Sequence, residues 1–213
     1  MKTKLFAVCL LFALSGCDVG GIRGNGHMVT QEQKLEPFIN VEADGAFRIE
    51  WHIGPPAVSV MIDENLMQYV EMEVRDRVLY VRTTRYIRPR HSIKVVLTSN
   101  TLEGASFSGA SQLTAHQLTG SKFYLETTGA SKATLDGAVD ELIANITGAG
   151  DLRAESLQTK TAQVSVTGAG DARMAVSNNL KVSITGAGKV EYIGDPHIQR
   201  KITGAGSIRP RDR

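Results

Sequence analysis

Six near-identical tetrapeptides recur between Ser108 and Gly206, and they constrain the fold more than any other feature of this 213-residue chain. Successive copies lie 18 to 20 residues apart. A fixed period of this size indicates a solenoid, in which each repeat buries its apolar face only against its neighbours. The copies are Ser108-Gly109-Ala110-Ser111, Thr128-Gly129-Ala130-Ser131, Thr147-Gly148-Ala149-Gly150, Thr167-Gly168-Ala169-Gly170, Thr185-Gly186-Ala187-Gly188 and Thr203-Gly204-Ala205-Gly206.

The residues that flank each tetrapeptide alternate between apolar and polar types. A period of two residues indicates strands with one buried face, and β-branched residues dominate the inward positions. We therefore predict an all-β, single-domain parallel β-solenoid, a β-helix with coils of about 19 residues that is right-handed by default. The inward residues just before the six copies are Phe107, Thr127, Ile146, Val166, Ile184 and Ile202.

The glycines of the tetrapeptides are predicted to form the bend between two strands of each coil. Glycine suits such a bend because it accepts a positive φ and lets neighbouring coils approach closely. Stacking identical turns also places the Ser/Thr residues in one column, which predicts a hydroxyl ladder along an edge. The predicted structural glycines are Gly109, Gly129, Gly148, Gly150, Gly168, Gly170, Gly186, Gly188, Gly204 and Gly206.

The predicted domain covers residues 36–209, although its first part lacks the tetrapeptide. Residues 36–104 still alternate as strands do, so we interpret them as an irregular β segment that continues or caps the stack. Residues 105–209 are the repeat coils. Residues 210–213 are a basic tail, whose charges and proline protect an open sheet edge.

The first seventeen residues have the composition of a bacterial lipoprotein signal. Lys2 and Lys4 precede an apolar run that is too short to span a bilayer, and the run ends in Leu-Ser-Gly-Cys at Cys17. This ending resembles a lipobox, which implies removal of residues 1–16 and attachment of lipid to the thiol of Cys17. The alternative is an ordinary signal peptide in which the cysteine stands by chance.

The cysteine count favours the lipoprotein interpretation. Cys9 lies in the segment that would be removed, so Cys17 would be the single remaining cysteine and would have no disulfide partner. Residues 17–35 are polar and glycine-rich and are predicted to form a flexible tether. We expect the protein to be held through lipidated Cys17 in the bacterial envelope, at either the inner membrane facing the periplasm or the outer membrane.

A lipoprotein-like start, an irregular β segment and repeated Ser/Thr-Gly-Ala-Gly/Ser motifs together resemble the family called putative auto-transporter adhesin, head GIN domain. Residues 189–196, followed by Thr203-Gly204-Ala205-Gly206, also resemble the usual ending of that family. The resemblance covers residues 37–209. It implies a bacterial envelope protein with a β-solenoid fold, and it assigns no activity, because a fold does not determine a function.

The sequence offers little catalytic or metal-binding chemistry. Its five histidines are scattered without ligand spacing, so we expect no metal site and no cofactor. Asp151 and Asp171 each follow a Gly-Ala-Gly, which is a weak similarity to calcium-binding β-roll repeats. Lys132 and Lys189 occupy the same position in neighbouring copies, so we favour a solvated charge ladder in which Lys132 faces Asp151 and Asp171 faces Lys189.

One segment carries a local charge excess. Removing Lys2 and Lys4 from the 24 basic residues leaves 22, which equals the number of acidic residues. The cluster lies in an acid-free run that also contains Tyr86. We interpret it either as a solvated hairpin or as a contact for an anionic envelope polysaccharide or lipid, and we expect no nucleic-acid binding. The candidate residues are Arg82, Arg85, Arg88, Arg90 and Lys94, with His91 beside them.

These observations favour a lipid-anchored envelope protein with a non-catalytic binding, adhesion or scaffold role. One alternative is an enzyme that acts on polysaccharide through the long face of the solenoid, with Asp151, Asp171, Arg153 and Arg173 as its candidate residues. The other alternative is a structural subunit that contacts further envelope proteins through a flat face or an open end.

Overall fold

The computed structural model describes residues 20–212, which are almost entirely β-strand. One 3-10 helix, Glu64–Tyr69, follows the fifth strand. The strands are β1 Ile22–Arg23, β2 Met28–Lys34, β3 Asn40–Gly45, β4 Phe47–Ile53, β5 Ala57–Asp63, β6 Val70–Arg75, β7 Val78–Thr83, β8 Ile87–Arg88, β9 Ile93–Ser99, β10 Gly104–Gly109, β11 Gln112–Gly129, β12 Lys132–Gly148, β13 Asp151–Gly168, β14 Asp171–Gly186, β15 Lys189–Ile193, β16 His197–Gly204 and β17 Ser207–Pro210.

The long strands β11 to β14 stack in parallel, and each one supplies both faces of a coil. The half of each strand that leads into the tetrapeptide forms the turn-entry face, together with β6, β7, β3, β10 and β16. The half that leaves the tetrapeptide forms the turn-exit face, together with β2, β5, β9, β4, β15 and β17. This arrangement confirms the predicted parallel β-solenoid.

The first glycine of every tetrapeptide adopts the conformation that the sequence predicts. The φ angles of these six glycines lie between +93° and +122°, a region that side chains rarely enter. A Cβ atom at Gly168 would also lie only 2.6 Å from the carbonyl oxygen of Gly148 in the preceding coil. The later glycine of the turn has a different, steric role, because a Cβ at Gly170 would lie 2.7 Å from Ile146 Cγ2.

The structure contains a seventh copy of the turn that the sequence pattern missed. Gly45 has a φ of +139° and pairs in register with Gly109, so Asp44-Gly45-Ala46-Phe47 occupies the place of a tetrapeptide. Asp44 replaces the usual Ser or Thr, and Phe47 replaces the last small residue. The copy escaped detection because strands β4 to β9 interrupt the period before the next turn.

The core is a set of in-register columns of inward-facing side chains. In the column that precedes the turns, Phe107, Ile146, Val166 and Ile184 are all nearly inaccessible to solvent, as predicted. Ile202, also predicted to be inward, is instead 38% exposed in the last coil. Thr127 is the polar exception in this column, and its buried hydroxyl has no hydrogen-bond partner. Burial of the columns is the main source of stability, since apolar area removed from water is the dominant favourable term in folding.

Antiparallel strands cover the N-terminal end of the stack. Strand β6 pairs antiparallel with β7 on the turn-entry face, and β5 pairs antiparallel with both β9 and β2 on the turn-exit face. Leu66 of the 3-10 helix is fully buried beside them. The predicted irregular segment therefore both continues the stack, through β3 and β4, and caps it.

The prediction of a flexible tether over residues 17–35 is wrong for its described part. Strand β1 pairs in parallel with β8, and β2 pairs along its whole length with β5. Gly24 is buried against the carboxylate of Asp63, so this segment belongs to the folded domain. The predicted basic tail, residues 210–213, begins one residue too early, because Pro210 is the last residue of β17.

The turn geometry predicts that Gly168→Val lowers the free energy of unfolding by more than about 1 kcal/mol. A β-branched side chain at this φ is strained, and its Cβ would overlap the Gly148 carbonyl. Ala169→Val is the matched control, because Ala169 is exposed in the same turn and has an ordinary φ. Urea denaturation measures both variants, and equal midpoints would show that the turn glycine is not structural.

Candidate binding surfaces

A ladder of charged side chains lies on the turn-exit face near the C-terminal end of the stack. Parallel register places Arg153, Arg173, Glu191 and Arg209 in one column. Asp151 lies in the neighbouring column and forms two ion pairs. Its Oδ2 lies 3.0 Å from Arg153 Nε, and its Oδ1 lies 3.2 Å from Arg173 Nη1. The ladder continues because Arg173 Nε lies 3.3 Å from Glu191 Oε2.

The ladder pairs three of the four residues that the enzyme alternative requires, which are Asp151, Arg153 and Arg173. The Asp151 carboxylate contacts two guanidinium groups, so both of its oxygens are engaged in ion pairs. The hydrogen bond from Lys189 lowers the pKa of Glu191, partial desolvation opposes this shift, and Arg173 adds to the lowering. A general acid needs a raised pKa instead.

The predicted register of the aspartates is confirmed. Lys132 faces Asp151, with a separation of 4.0 Å between Nζ and Oδ2, and Asp171 faces Lys189. Lys132 and Lys189 flank the adjacent pair Asp151 and Asp171, so this part of the column holds two successive carboxylates and no third. Among residues 20–212, no three His, Cys, Asp or Glu side chains come together as a metal site requires.

A shallow groove runs along the bend in the middle of the coils, opposite the tetrapeptide turns. It forms where the register between neighbouring coils shifts, between Thr134 and Asp136 and again after Ala154. The groove has a volume of about 400 Å³, and Asp140 and Lys160 form an ion pair of 2.7 Å at its rim. Its lining is mostly small or aliphatic and includes Gly120, Ala138, Val139, Ala175, Val176 and Gly194.

A histidine–aspartate pair fixes the same bend closer to the N-terminal end. His116 Nδ1 lies 2.6 Å from Asp136 Oδ2, and the His116 ring stacks on His52 with a centroid separation of 5.6 Å. Asp136 Oδ1 accepts a 2.6 Å hydrogen bond from the backbone N–H of Gln117, whose φ is +56°. Asp136 therefore stabilises a left-handed residue that is not a glycine.

Burial by itself raises the pKa of Asp136, but the hydrogen bonds from Gln117 and His116 outweigh this effect and hold the pKa below its ordinary value. No local pattern indicates this pair, because the aspartate and histidine belong to different coils. The pair becomes visible only when β11 and β12 are stacked.

The structure divides the predicted basic cluster into two parts. Arg82 Nε lies 2.9 Å from Glu71 Oε2, and Lys94 Nζ lies 3.2 Å from Glu50 Oε2, so acids from neighbouring strands neutralise these two cations. Arg85, Arg88 and Arg90 lie together on the segment around β8, and all three are exposed. An acid-free run in sequence is therefore not an acid-free surface along its whole length.

Cys17 and the predicted signal peptide lie outside the described residues. The helical segment that the structure does describe, Glu64–Tyr69, does not have the length and apolar character needed to cross a membrane.

A family model described as "Putative auto-transporter adhesin, head GIN domain" matches residues 37–196. No curated protein matches the sequence. The solved structure of a putative adhesin from Bacteroides fragilis superimposes with a TM-score of 0.75 at 20% identity, and the match covers 90% of this chain and 100% of that chain. The descriptions of the family and of this neighbour agree with a bacterial cell-surface or envelope protein.

Two further solved structures share the fold. A putative lipid binding protein from Parabacteroides distasonis has a TM-score of 0.62 and 22% identity, with coverage of 91% of this chain and 100% of that chain. A putative adhesin from Parabacteroides merdae has a TM-score of 0.56 and 22% identity, with coverage of 90% and 99%. Structural matches at identities this low establish a common fold. They do not transfer the binding properties of one protein to another.

The bend predicts that Asp136→Ala lowers the free energy of unfolding by about 1 kcal/mol at neutral pH, because the Gln117 N–H loses its acceptor. Since the folded pKa is depressed, this stabilisation is present above the ordinary pKa of about 3.9 and disappears as the pH falls through the lowered value. Denaturation curves between pH 7 and pH 3 measure the difference.

Asp140→Ala serves as the control for this variant. It removes an exposed ion pair with Lys160 on the same bend and should leave the stability nearly unchanged. Equal losses for Asp136→Ala and Asp140→Ala would show that the hydrogen bond to Gln117 contributes nothing.

Proposed function

We propose a function for this chain, which belongs to the family described as putative auto-transporter adhesin, head GIN domain. The protein is a lipid-anchored component of the bacterial cell envelope. Its solenoid is a non-catalytic module that binds envelope or surface partners through flat faces. The mutual neutralisation of charges on the turn-exit face is the observation that carries this proposal.

A flat ladder of ion pairs is suited to binding a partner surface and is not suited to catalysing the cleavage of a glycosidic bond. The carboxylates of Asp151 and Glu191 are both engaged by cations of adjacent coils. Hydrolysis of a glycosidic bond needs one carboxyl group that is protonated and another that is free to act as base or nucleophile. Regularly spaced ion pairs instead present alternating charge to a partner surface, which favours specificity of contact.

Three features of the N-terminal segment support the lipid anchor. Lys2 and Lys4 precede a short apolar run, and the run ends at Cys17 in a lipobox-like sequence. A diacylglycerol on the thiol together with a further acyl chain gives stable anchoring, whereas one acyl chain binds only marginally. The description of the Parabacteroides distasonis neighbour as a lipid binding protein is consistent with a role at a membrane.

The anchor predicts that Cys17→Ser abolishes labelling by a palmitate analogue and moves the protein from the membrane fraction to the soluble fraction. Cys9→Ser is the matched control, because it removes the other cysteine of the chain and should leave labelling intact. Membrane retention with labelling in the Cys17→Ser protein would contradict the lipoprotein assignment.

The non-catalytic role predicts that the protein releases no new reducing or unsaturated ends from polygalacturonate, used as a probe for acidic polysaccharide. The double variant Asp151→Asn/Asp171→Asn should give the same result as the wild type, since neither aspartate has a catalytic role in this proposal. The enzyme alternative would be established instead if the wild type and Asp140→Asn both released new ends and the double variant did not.

A further inference from the structure

We propose that the N-terminal strap, residues 20–27, and the segment 84–91 form one membrane-docking surface for anionic phospholipid headgroups. This inference rests on the proposed lipid anchor at Cys17. It adds that the domain lies directly on the bilayer in a fixed orientation, with the capped end of the solenoid toward the lipid.

Backbone hydrogen bonds fix the strap to the neighbouring segment. Ile22 N–H donates to the Tyr86 carbonyl at 3.0 Å, and Gly24 N–H donates to the Arg88 carbonyl at 3.0 Å. These bonds form the parallel pair β1–β8, which joins two regions that are more than sixty residues apart in sequence. Arg90 Nε adds a third bond, to the Gly24 carbonyl, at 3.0 Å.

A buried carboxylate locks the same junction. Asp63 is fully buried and accepts hydrogen bonds from Gly26 N–H at 2.7 Å and from Arg90 N–H at 2.9 Å. Its oxygens lie so close to Gly24 that a Cβ atom there would approach Oδ2 to 2.5 Å. The strap is therefore fixed to the folded domain, since breaking these contacts would leave a buried carboxylate without partners.

The junction presents cations that no described acid neutralises. Arg23, Arg85 and Arg88 are exposed, and none of them forms an ion pair within residues 20–212. Tyr86 stands among them with 61% of its surface exposed, and its ring edge packs against the backbone at Gly21. Exposed guanidinium groups around an amphipathic ring match the phosphate and interfacial layers of an anionic bilayer.

The distance between lipidated Cys17 and the strap decides whether this surface contacts the bilayer. Cys17 lies three residues before Gly20, and three residues span at most about 11 Å. That reach is comparable to the screening length of about 8 Å at physiological ionic strength. A flexible tether over residues 17–35 would instead have allowed a separation of about 25 Å, at which the bilayer charge is screened.

The test uses residues 18–213, which lack the lipid site and retain every described strand. At about 0.01 M salt this protein should sediment with phosphatidylglycerol vesicles and not with phosphatidylcholine vesicles, and about 1 M salt should release it. Arg23→Ser/Arg85→Ser/Arg88→Ser should weaken the binding at least tenfold, since each arginine near an anionic surface contributes about fivefold. Tyr86→Ser should weaken it further.

A charge-matched variant serves as the control. Arg48→Ser/Arg200→Ser/Lys201→Ser removes three exposed cations that form no ion pair with a described residue and that lie outside the strap and segment 84–91. It should bind phosphatidylglycerol within about twofold of the wild type, because only charges near the surface contribute. Equal weakening by the two triple variants, binding that ignores salt, or no binding by the wild type would overturn the proposal.

A second measurement separates this proposal from the anchor itself. In the lipidated full-length chain, a fluorophore on Tyr86→Cys should be shielded from an aqueous quencher, whereas a fluorophore on Ala205→Cys at the last turn should stay accessible. Equal accessibility of both labels in a chain that still carries lipid would overturn the docking surface and leave the anchor standing. Loss of lipid labelling alone would remove the anchor and leave the vesicle result unaffected.

Discussion

The close approach of one coil to the next at the glycine turns is the constraint on which the rest of the structure depends. The carbonyls of five turn glycines accept the alanine N–H of the next coil at 2.8–3.0 Å, for example from Ala169 N–H to Gly148. The Cα atoms approach so closely that no Cβ fits between a turn glycine and the carbonyl above it. The register of every other column follows, because a one-residue slip would turn each inward side chain toward solvent.

The same register explains why the carboxylates of Asp151 and Glu191 on the turn-exit face are engaged in ion pairs. Stacking places residues about one period apart opposite each other, so Arg173 meets Asp151 on one side and Glu191 on the other. Charges that look like a possible catalytic cluster in sequence become a ladder of paired ions. A surface of this kind can present an extended pattern to a partner, which fits an adhesion module better than an enzyme.

Departures from the repeat are concentrated at one end of the solenoid. Strands β5 and β6 run antiparallel to their neighbours, and the strap is held to segment 84–91 by Asp63. The antiparallel pairs cover an edge that would otherwise expose unpaired backbone groups. They also gather unpaired arginines beside the residues that follow Cys17, so the chemically distinct end of the domain is the end nearest to the proposed anchor.

The amino-acid pattern alone predicts the repeated turn, the alternating strands and the inward columns, because a glycine at positive φ and a period of two residues are local properties. Three features become visible only in the folded chain: Asp44-Gly45 is a turn of the same stack, the N-terminal strap is fixed, and Arg82 and Lys94 are neutralised. The physical reason is that these features depend on partners from non-repeating strands, such as Asp63 with Gly26, thirty-seven residues apart. Local patterning cannot specify such contacts, since the partner is chosen by the folded backbone.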